Sequence, residues 1–443
     1  MQRVILLLAT MAKLRTSAVA AMSMFAGATM ALAVLGLMVL GGDRALAASQ
    51  VSCGETITTD TTLHSDLLNC PNHGIVIGAD GITLNLNGHL IDGDGTPAAG
   101  CDPQTEVCDV GVLNKGHDGV TVRGGSVRQF NVGVWAGFAP SLGVSHNRLL
   151  GISSSGNYYF DILLIRGTRS LIRNCSVSDS GNGAMLLIFS HYVRVLHNSF
   201  RHSGYRVAKP EAGFGVFDST DNLIEHNSFS GNKNSAIDMR GADRNRVIHN
   251  SSVRDGNGIV ISEHSNRNVI ARNHIAHATE EHPHHGDGIA IEHNSGDHNI
   301  IEGNPVVGTT GDSIGVGYDD GVGNVVRRNH ILGAGRNGIH VASVFTKEPT
   351  SSNVVYRNYI LGAGEDGVHV DTKAKHTDLV RNHAIGAKDD GLDADDATTK
   401  LTGNQARHNA DLGIEAVRGV IDGGENKASG NGDPRQCTNI VCN

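Results

Sequence analysis

Basic residues and aromatic side chains are both scarce in this 443-residue chain. Lysine and arginine total 36 against 45 aspartates and glutamates, and Phe, Trp and Tyr together make up 4%. The first shortage argues against nucleic acid as a partner, because proteins that hold a phosphate backbone concentrate Lys and Arg. It leaves open an acidic glycan held through cations. No helix-length apolar periodicity interrupts the region after residue 140, so layered helices are not expected. What is abundant is turn chemistry. There are 57 glycines, and Asn-Gly, Asp-Gly and Gly-Asn pairs recur throughout. Such residues tolerate positive φ, so many short strands separated by tight turns are expected.

Residues 1–47 read as a signal peptide or an N-terminal anchor. Arg3, Lys13 and Arg15 precede an uncharged run from Thr16 to Gly42, and Ala45-Leu46-Ala47 offers a small-residue cleavage site. A run of that length would also span a bilayer if left uncleaved, the one route to membrane attachment. The expected location is secreted or at the cell surface. Removing this segment deletes Arg3, Lys13, Arg15 and Arg44 against Asp43, taking the net charge from -9 to -12.

All seven cysteines follow the leader, as expected where disulfides form. Cys53 with Cys70, Cys101 with Cys108, and Cys437 with Cys442 are sequence-local pairs able to close small loops near the two ends. Cys175 is left over and reads as a buried small hydrophobe. The expected organisation is a leader at 1–47, N-terminal coils with a disulfide-bearing cap at 48–110, repeats at 111–430, and a tail with a local disulfide at 431–443.

One pattern dominates the repeats: an apolar doublet, one or two polar residues, an Asn, a turn, then a short apolar strand led by Gly. Asn147, Asn174, Asn198, Asn227, Asn250, Asn273, Asn304, Asn329, Asn358, Asn382 and Asn404 mark it at intervals of 22 to 31 residues. A unit of this length cannot bury its own apolar side and must stack on its neighbours. Parallel strands about 4.8 Å apart would give a rod on the order of 60 to 70 Å long. The repeated Asn reads as an internal ladder, its amide bonding the backbone at the turn and the Asn of the next coil.

This pattern resembles the right-handed parallel β-helix proteins of the pectin-lyase-like superfamily. The opening "CGETITTDTTLHSDLLNCPNHGIVIGADGITLNLNGHLIDGDG" also resembles the N-terminal coils of secreted β-helix repeat proteins in that group. The likeness covers residues 51–430 and implies an all-β right-handed solenoid of about 12 to 14 coils. Members of the superfamily include polysaccharide lyases, glycoside hydrolases, epimerases, and proteins thought to bind carbohydrate or assist copper-site assembly. The hexapeptide periodicity of a left-handed coil and the threonine rows of a flat ice-binding array are both absent.

Aligning the second strand of each coil on Ile237, Ile259, Ile289, Ile314, Ile339, Val368, Leu392 and Ile414 sends these residues inward, with every second residue after them. The residues between face solvent. His340, His369, Asp371, Asp393, Asp395 and Glu415 then form an outward file on consecutive coils, after the bare backbone of Gly315 and Gly317. These six are the candidate catalytic residues. Carboxylates at that spacing raise one another's proton affinity, so one stays protonated while its neighbour is ionised, as glycoside hydrolysis requires. The oxygens of Asp371, Asp393 and Asp395 equally suit Ca2+, which takes several carboxylate ligands and would anchor uronic-acid groups. Asp390, in line with Asn257, Asp287, Asp312, Asn337 and Asp366, reads as part of a turn ladder.

Tyr318, Asp319, Arg240, Glu292 and Arg206 are candidate substrate contacts. Arg206, Lys209 and Arg240 are, by residue type, what the resemblance implies for a lyase base. The turn "EEHPHHGDG", Glu280–Gly288, offers His282 with His284 or His285 for a transition metal, as a copper-handling accessory would need. The Asp-Pro-His-Asp motif of alginate epimerases is absent. Of the polygalacturonase pattern only "DDG" at 389–391 is present, without the His-Gly and Arg-Ile-Lys elements. The leading expectation is an exported enzyme that cleaves a polysaccharide by hydrolysis or β-elimination in a groove along the coils. The alternative is a non-enzymatic glycan-binding or cell-surface structural protein.

Overall fold

Three short strands build each coil. In one, Leu223–Glu225, Ser228–Ser230 and Ser235–Arg240 follow one another, and each pairs in parallel with its counterpart one coil on: Arg246–Ile248, Ser251–Val253 and Asn257–Ser262. The computed structural model describes residues 50–96, 109–138, 142–279, 286–292, 296–318, 320–343 and 350–443. Every described strand lies in the unit Ser52–Asn443, and the described residues contain no helix. The third strands of successive coils form a parallel sheet of 15 strands, from Glu55–Ile57 to Ile414–Ala416. Its 15 strands, each about 4.8 Å from the next, extend it over about 67 Å. The leader, the Cys101 and Cys108 pair, the His282–His285 turn and Asp319 lie outside the described residues.

The inward file of this sheet is continuous. Ile237, Ile259, Ile289, Ile314, Ile339, Val368, Leu392 and Ile414 stack in register, and none exposes more than 1% of its surface. Each contributes roughly 1.5 to 3 kcal/mol by leaving water. The alternation that buries them turns the residues between outward. In the early coils that outward column is apolar and also buried, through Leu113, Trp135, Leu163 and Leu186. Its first charged member is Asp238, and after Val260, Ala290 and Gly315 it is polar from His340 to Glu415, which confines a continuous hydrophilic face to the last coils.

The Asn ladder is present from Asn198 to Asn426. The backbone N–H and the side-chain amide of Asn304, for example, both donate to Oδ1 of Asn329, at 2.9 Å each. Two of the eleven expected members stand elsewhere. Asn174 is exposed with φ of 54°, and Cys175 takes its rung, its N–H donating to Oδ1 of Asn198 at 2.9 Å. Asn147 belongs to the column of a second ladder, which runs through Asn222, Asn245, Asn268, Asn299, Asn324 and Asn353. Both Cys53–Cys70 and Cys437–Cys442 are bridged, and Cys175 is free and buried.

Candidate functional site

Parallel register sets the outward column of the later coils as Asp238, Val260, Ala290, Gly315, His340, His369, Asp393 and Glu415. Gly315 is not bare backbone. A Cβ there would lie within 2.5 to 2.9 Å of the Tyr318 ring and hydroxyl, so the glycine makes room for Tyr318 to fold into the column. The Tyr318 hydroxyl donates to Asp312 Oδ2 at 2.8 Å and approaches Asp287 Oδ2 at 3.2 Å. Arg336 reaches Asp287 at 3.3 Å from the other side.

A chain of alternating imidazoles and carboxylates continues from there. His340 Nδ1 meets Asp312 Oδ2 at 2.9 Å, and its Nε2 meets Asp371 Oδ1 at 3.0 Å. His369 Nε2 meets the same Asp371 oxygen at 3.2 Å, while its Nδ1 lies 3.1 Å from both Asp366 Oδ2 and Asp393 Oδ2. The second oxygen of Asp371 accepts the Ser343 N–H at 2.9 Å. Asp393 Oδ1 is buried without a hydrogen-bond partner.

Burial alone would strip the proton from both histidines. The opposing hydrogen bonds from Asp312 and Asp371 win at His340, raising its pKa to about 9. At His369, bonds from Asp366, Asp371 and Asp393 outweigh burial and raise it to about 12. Asp371 shows the complement: burial would raise it, but the two imidazoliums hold it well below the usual carboxylate range. Burial raises Asp393, with the His369 bond opposing. Asp390 is pushed up to about 8, first by burial and then by a hydrogen bond with Glu415.

The turn ladder and this chain share residues. Oδ1 of Asp287, Asp312, Asp366 and Asp390 each accepts a backbone N–H from the following coil, at 2.7 to 2.9 Å. Asn257 and Asn337 do the same at their rungs, with the amide oxygen. One acceptor is all the ladder needs, so an Asp there has an oxygen to spare. Asp312 and Asp366 aim it at His340 and His369. Sequence reasoning assigned these two to the ladder alone. The signal that would have singled them out is Asp standing where Asn suffices.

Of the expected catalytic residues, His340, His369, Asp371 and Asp393 come together. Glu415 is exposed one coil beyond Asp393 and bonded to Asp390. Asp395 is near enough to act electrostatically on Asp393, yet its carboxylate is not in the hydrogen-bonded chain. Among expected substrate contacts, Tyr318 belongs to the site. Arg240 and Glu292 line a separate cleft of about 210 Å³ with Asn234, Ser262 and Glu263. There Arg240 pairs with Asp238, reaches Glu211 at 3.4 Å, and lies over the Phe217 ring. Arg206 borders a third recess with Tyr158 and Gln129.

The metal donors also group differently from the expectation. Among the described residues, sets whose ligand atoms lie within 4.8 Å of one another are His340, His369 and Asp371; Asp366, His369 and Asp393; and Asp366, Asp389 and Asp390. Asp371, Asp393 and Asp395 do not form such a set. Two of the three groups contain imidazole, which suits transition metals better than Ca2+.

This chain is a right-handed parallel β-helix repeat protein of about 14 turns. Residues 110–275 and 161–317 match the right handed beta helix region family. Among curated proteins no sequence matches the chain. Similar solved structures include DFA-IIIase from Arthrobacter chlorophenolicus, at 14% identity over 70% of this chain and 67% of that one, with a TM-score of 0.41. The tailspike protein of E. coli bacteriophage HK620, in complex with a pentasaccharide, has 13% identity over 88% and 73%, with a TM-score of 0.47. PfbA, a surface adhesin of Streptococcus pneumoniae, has 11% identity over 72% and 84%, with a TM-score of 0.48. At these identities the likeness is one of fold alone.

Proposed function

We propose that this protein is an exported carbohydrate-active enzyme that hydrolyses a polysaccharide lying along the outer face of the long sheet. The observation that carries the reading is the pairing of Asp390 with Glu415 beside Asp393. Burial and the bond to Glu415 keep a proton on Asp390 to about pH 8. Glu415 is the exposed member of the pair and relays the Asp390 proton to the glycosidic oxygen. Asp393, directly opposite Glu415 in register, supplies the second carboxyl. Strands one coil apart are separated by about 4.8 Å, which suits the roughly 5 to 5.5 Å between carboxyls in retaining hydrolysis. Tyr318 and the His340–His369 rings border the same face.

The test is reducing-end release together with the ultraviolet absorbance of an unsaturated uronate, on a panel of neutral and acidic polysaccharides. Reducing ends without absorbance, lost in Glu415→Gln and Asp393→Asn, are expected. Absorbance would mean elimination and would overturn this assignment of the carboxyls. Retention of a glycan with neither signal would make the face a passive binding surface.

A further inference from the structure

We infer that His340, His369 and Asp371 form a binding site for a divalent transition-metal ion of the Zn2+ class, distinct from the carboxyl pair proposed for hydrolysis. Three observations on neighbouring coils converge. Both Nε2 atoms point at one oxygen, Asp371 Oδ1, at 3.0 and 3.2 Å. Donors about 2.1 Å from a common ion are about 3.0 Å apart at right angles and about 3.4 Å apart at the tetrahedral angle. The two separations fall in that interval, and all three ligand atoms lie within 4.8 Å of one another.

The remaining ring nitrogens supply the second observation. His340 Nδ1 is held by Asp312, which is 1% exposed, and His369 Nδ1 by Asp366 and Asp393. Metal-ligating histidines are oriented in this way, with the distal N–H given to a carboxylate. Third, the other Asp371 oxygen is fixed by the Ser343 N–H, which leaves Oδ1 as the ligand atom. The group Asp366, His369 and Asp393 shares His369 but would use its Nδ1. A ring that ligates through Nε2 keeps Nδ1–H for those two carboxylates, so they act as its support. On binding, each ring keeps its Nδ1 proton and gives its Nε2 lone pair to the ion. The two Nε2 protons leave to solvent, and Asp371 exchanges two N–H donors for the metal. Two imidazoles and one carboxylate select a transition metal over Ca2+ or Mg2+. Three protein ligands leave further coordination positions facing the open sheet.

The test needs no glycan and therefore fails or succeeds apart from the hydrolytic reading. The full chain, stripped with chelator, is titrated with Co2+ while its visible ligand-field absorption is followed, and then with Zn2+ by calorimetry. One ion per chain is expected, with a Co2+ band that Zn2+ displaces and excess Ca2+ leaves unchanged. His369→Gln and Asp371→Asn should each abolish the band. Asp312→Asn, which preserves the ladder acceptor, should weaken binding roughly 10- to 100-fold, and Asp395→Asn should leave it intact. Should His369→Gln not fold, Asp371→Asn reads the same site with little change of shape. Absence of a Co2+ band, an unchanged band in Asp371→Asn, or displacement by Ca2+ would overturn the proposal.

Discussion

Replacing Asn304 by alanine removes one rung from the principal ladder, and the structure sets the size of the effect. Asn304 is fully buried. Its Oδ1 accepts the backbone N–H of Asn273 at 2.8 Å and the side-chain amide of Asn273 at 3.2 Å. Its own amide donates to the Ile270 carbonyl and to Asn329 Oδ1. Alanine leaves two buried donors of Asn273 without an acceptor, at about 1 to 3 kcal/mol each, so a loss of about 2 to 6 kcal/mol is expected. Asn174→Ala is the matched control. Asn174 carries the same residue type in the same sequence motif, but it is exposed and off the ladder. Its loss should be under about 1 kcal/mol, reflecting only its positive φ. Urea unfolding followed by circular dichroism compares the two. Equal losses, or an Asn304→Ala loss below about 0.5 kcal/mol, would refute the argument that the rung's hydrogen bonds hold the coil.

Other outcomes follow from the site. Asp390→Asn should keep the ladder, since Asn fills that role at Asn337, but it removes a titrating group. The folded pKa of Asp390 lies at about 8, above its unfolded value, so its contribution is fully present at low pH and is lost as pH rises to about 8. The melting temperature of Asp390→Asn relative to the parent should therefore climb with pH across that window, and a flat difference would contradict the assignment. Gly315→Ala places a Cβ against the Tyr318 ring, and a loss of about 1 to 3 kcal/mol is expected by differential scanning calorimetry. Cys175, whose thiol burial pushes up to about 11, should resist thiol reagents until the chain unfolds, as mass spectrometry would show. On the hydrolysis proposed above, Glu415→Gln should lower kcat by roughly 100-fold or more.

The sequence made the solenoid legible because a coil's side chains obey a local rule. Alternation about Ile339 and Val368 settles which residues turn inward without knowledge of any distant contact. The same rule placed His340, His369 and Asp393 on one column. Two kinds of feature escaped it. The first was register at the turns: "LIRNC" and "VLHNS" look alike, yet the rung falls on Cys175 in one and Asn198 in the other, because the residue before the rung takes the left-handed conformation. The second was double use of one side chain. Asp312 and Asp366 were read as ladder residues, which they are, but a carboxylate has two oxygens and their second ones reach the histidines. Tyr318 was read as a substrate contact, and spacing did not show that its hydroxyl is engaged with Asp312. Such contacts depend on side-chain direction within three dimensions, which spacing does not encode.

The turn ladder also behaves as a ruler with switchable marks. Each coil advances the chain by one strand spacing, whatever the length of its loops, so a position in the sequence converts to a height along the axis in fixed steps. At every step the ladder accepts either an amide or a carboxylate without altering the backbone. Exchanging Asn337 for Asp, or Asp366 for Asn, would therefore add or erase a chemical group at a chosen height while the coil beneath stays closed. A reactive face on this scaffold can be lengthened, shortened or moved along the axis by single substitutions, with the hydrophobic interior left untouched.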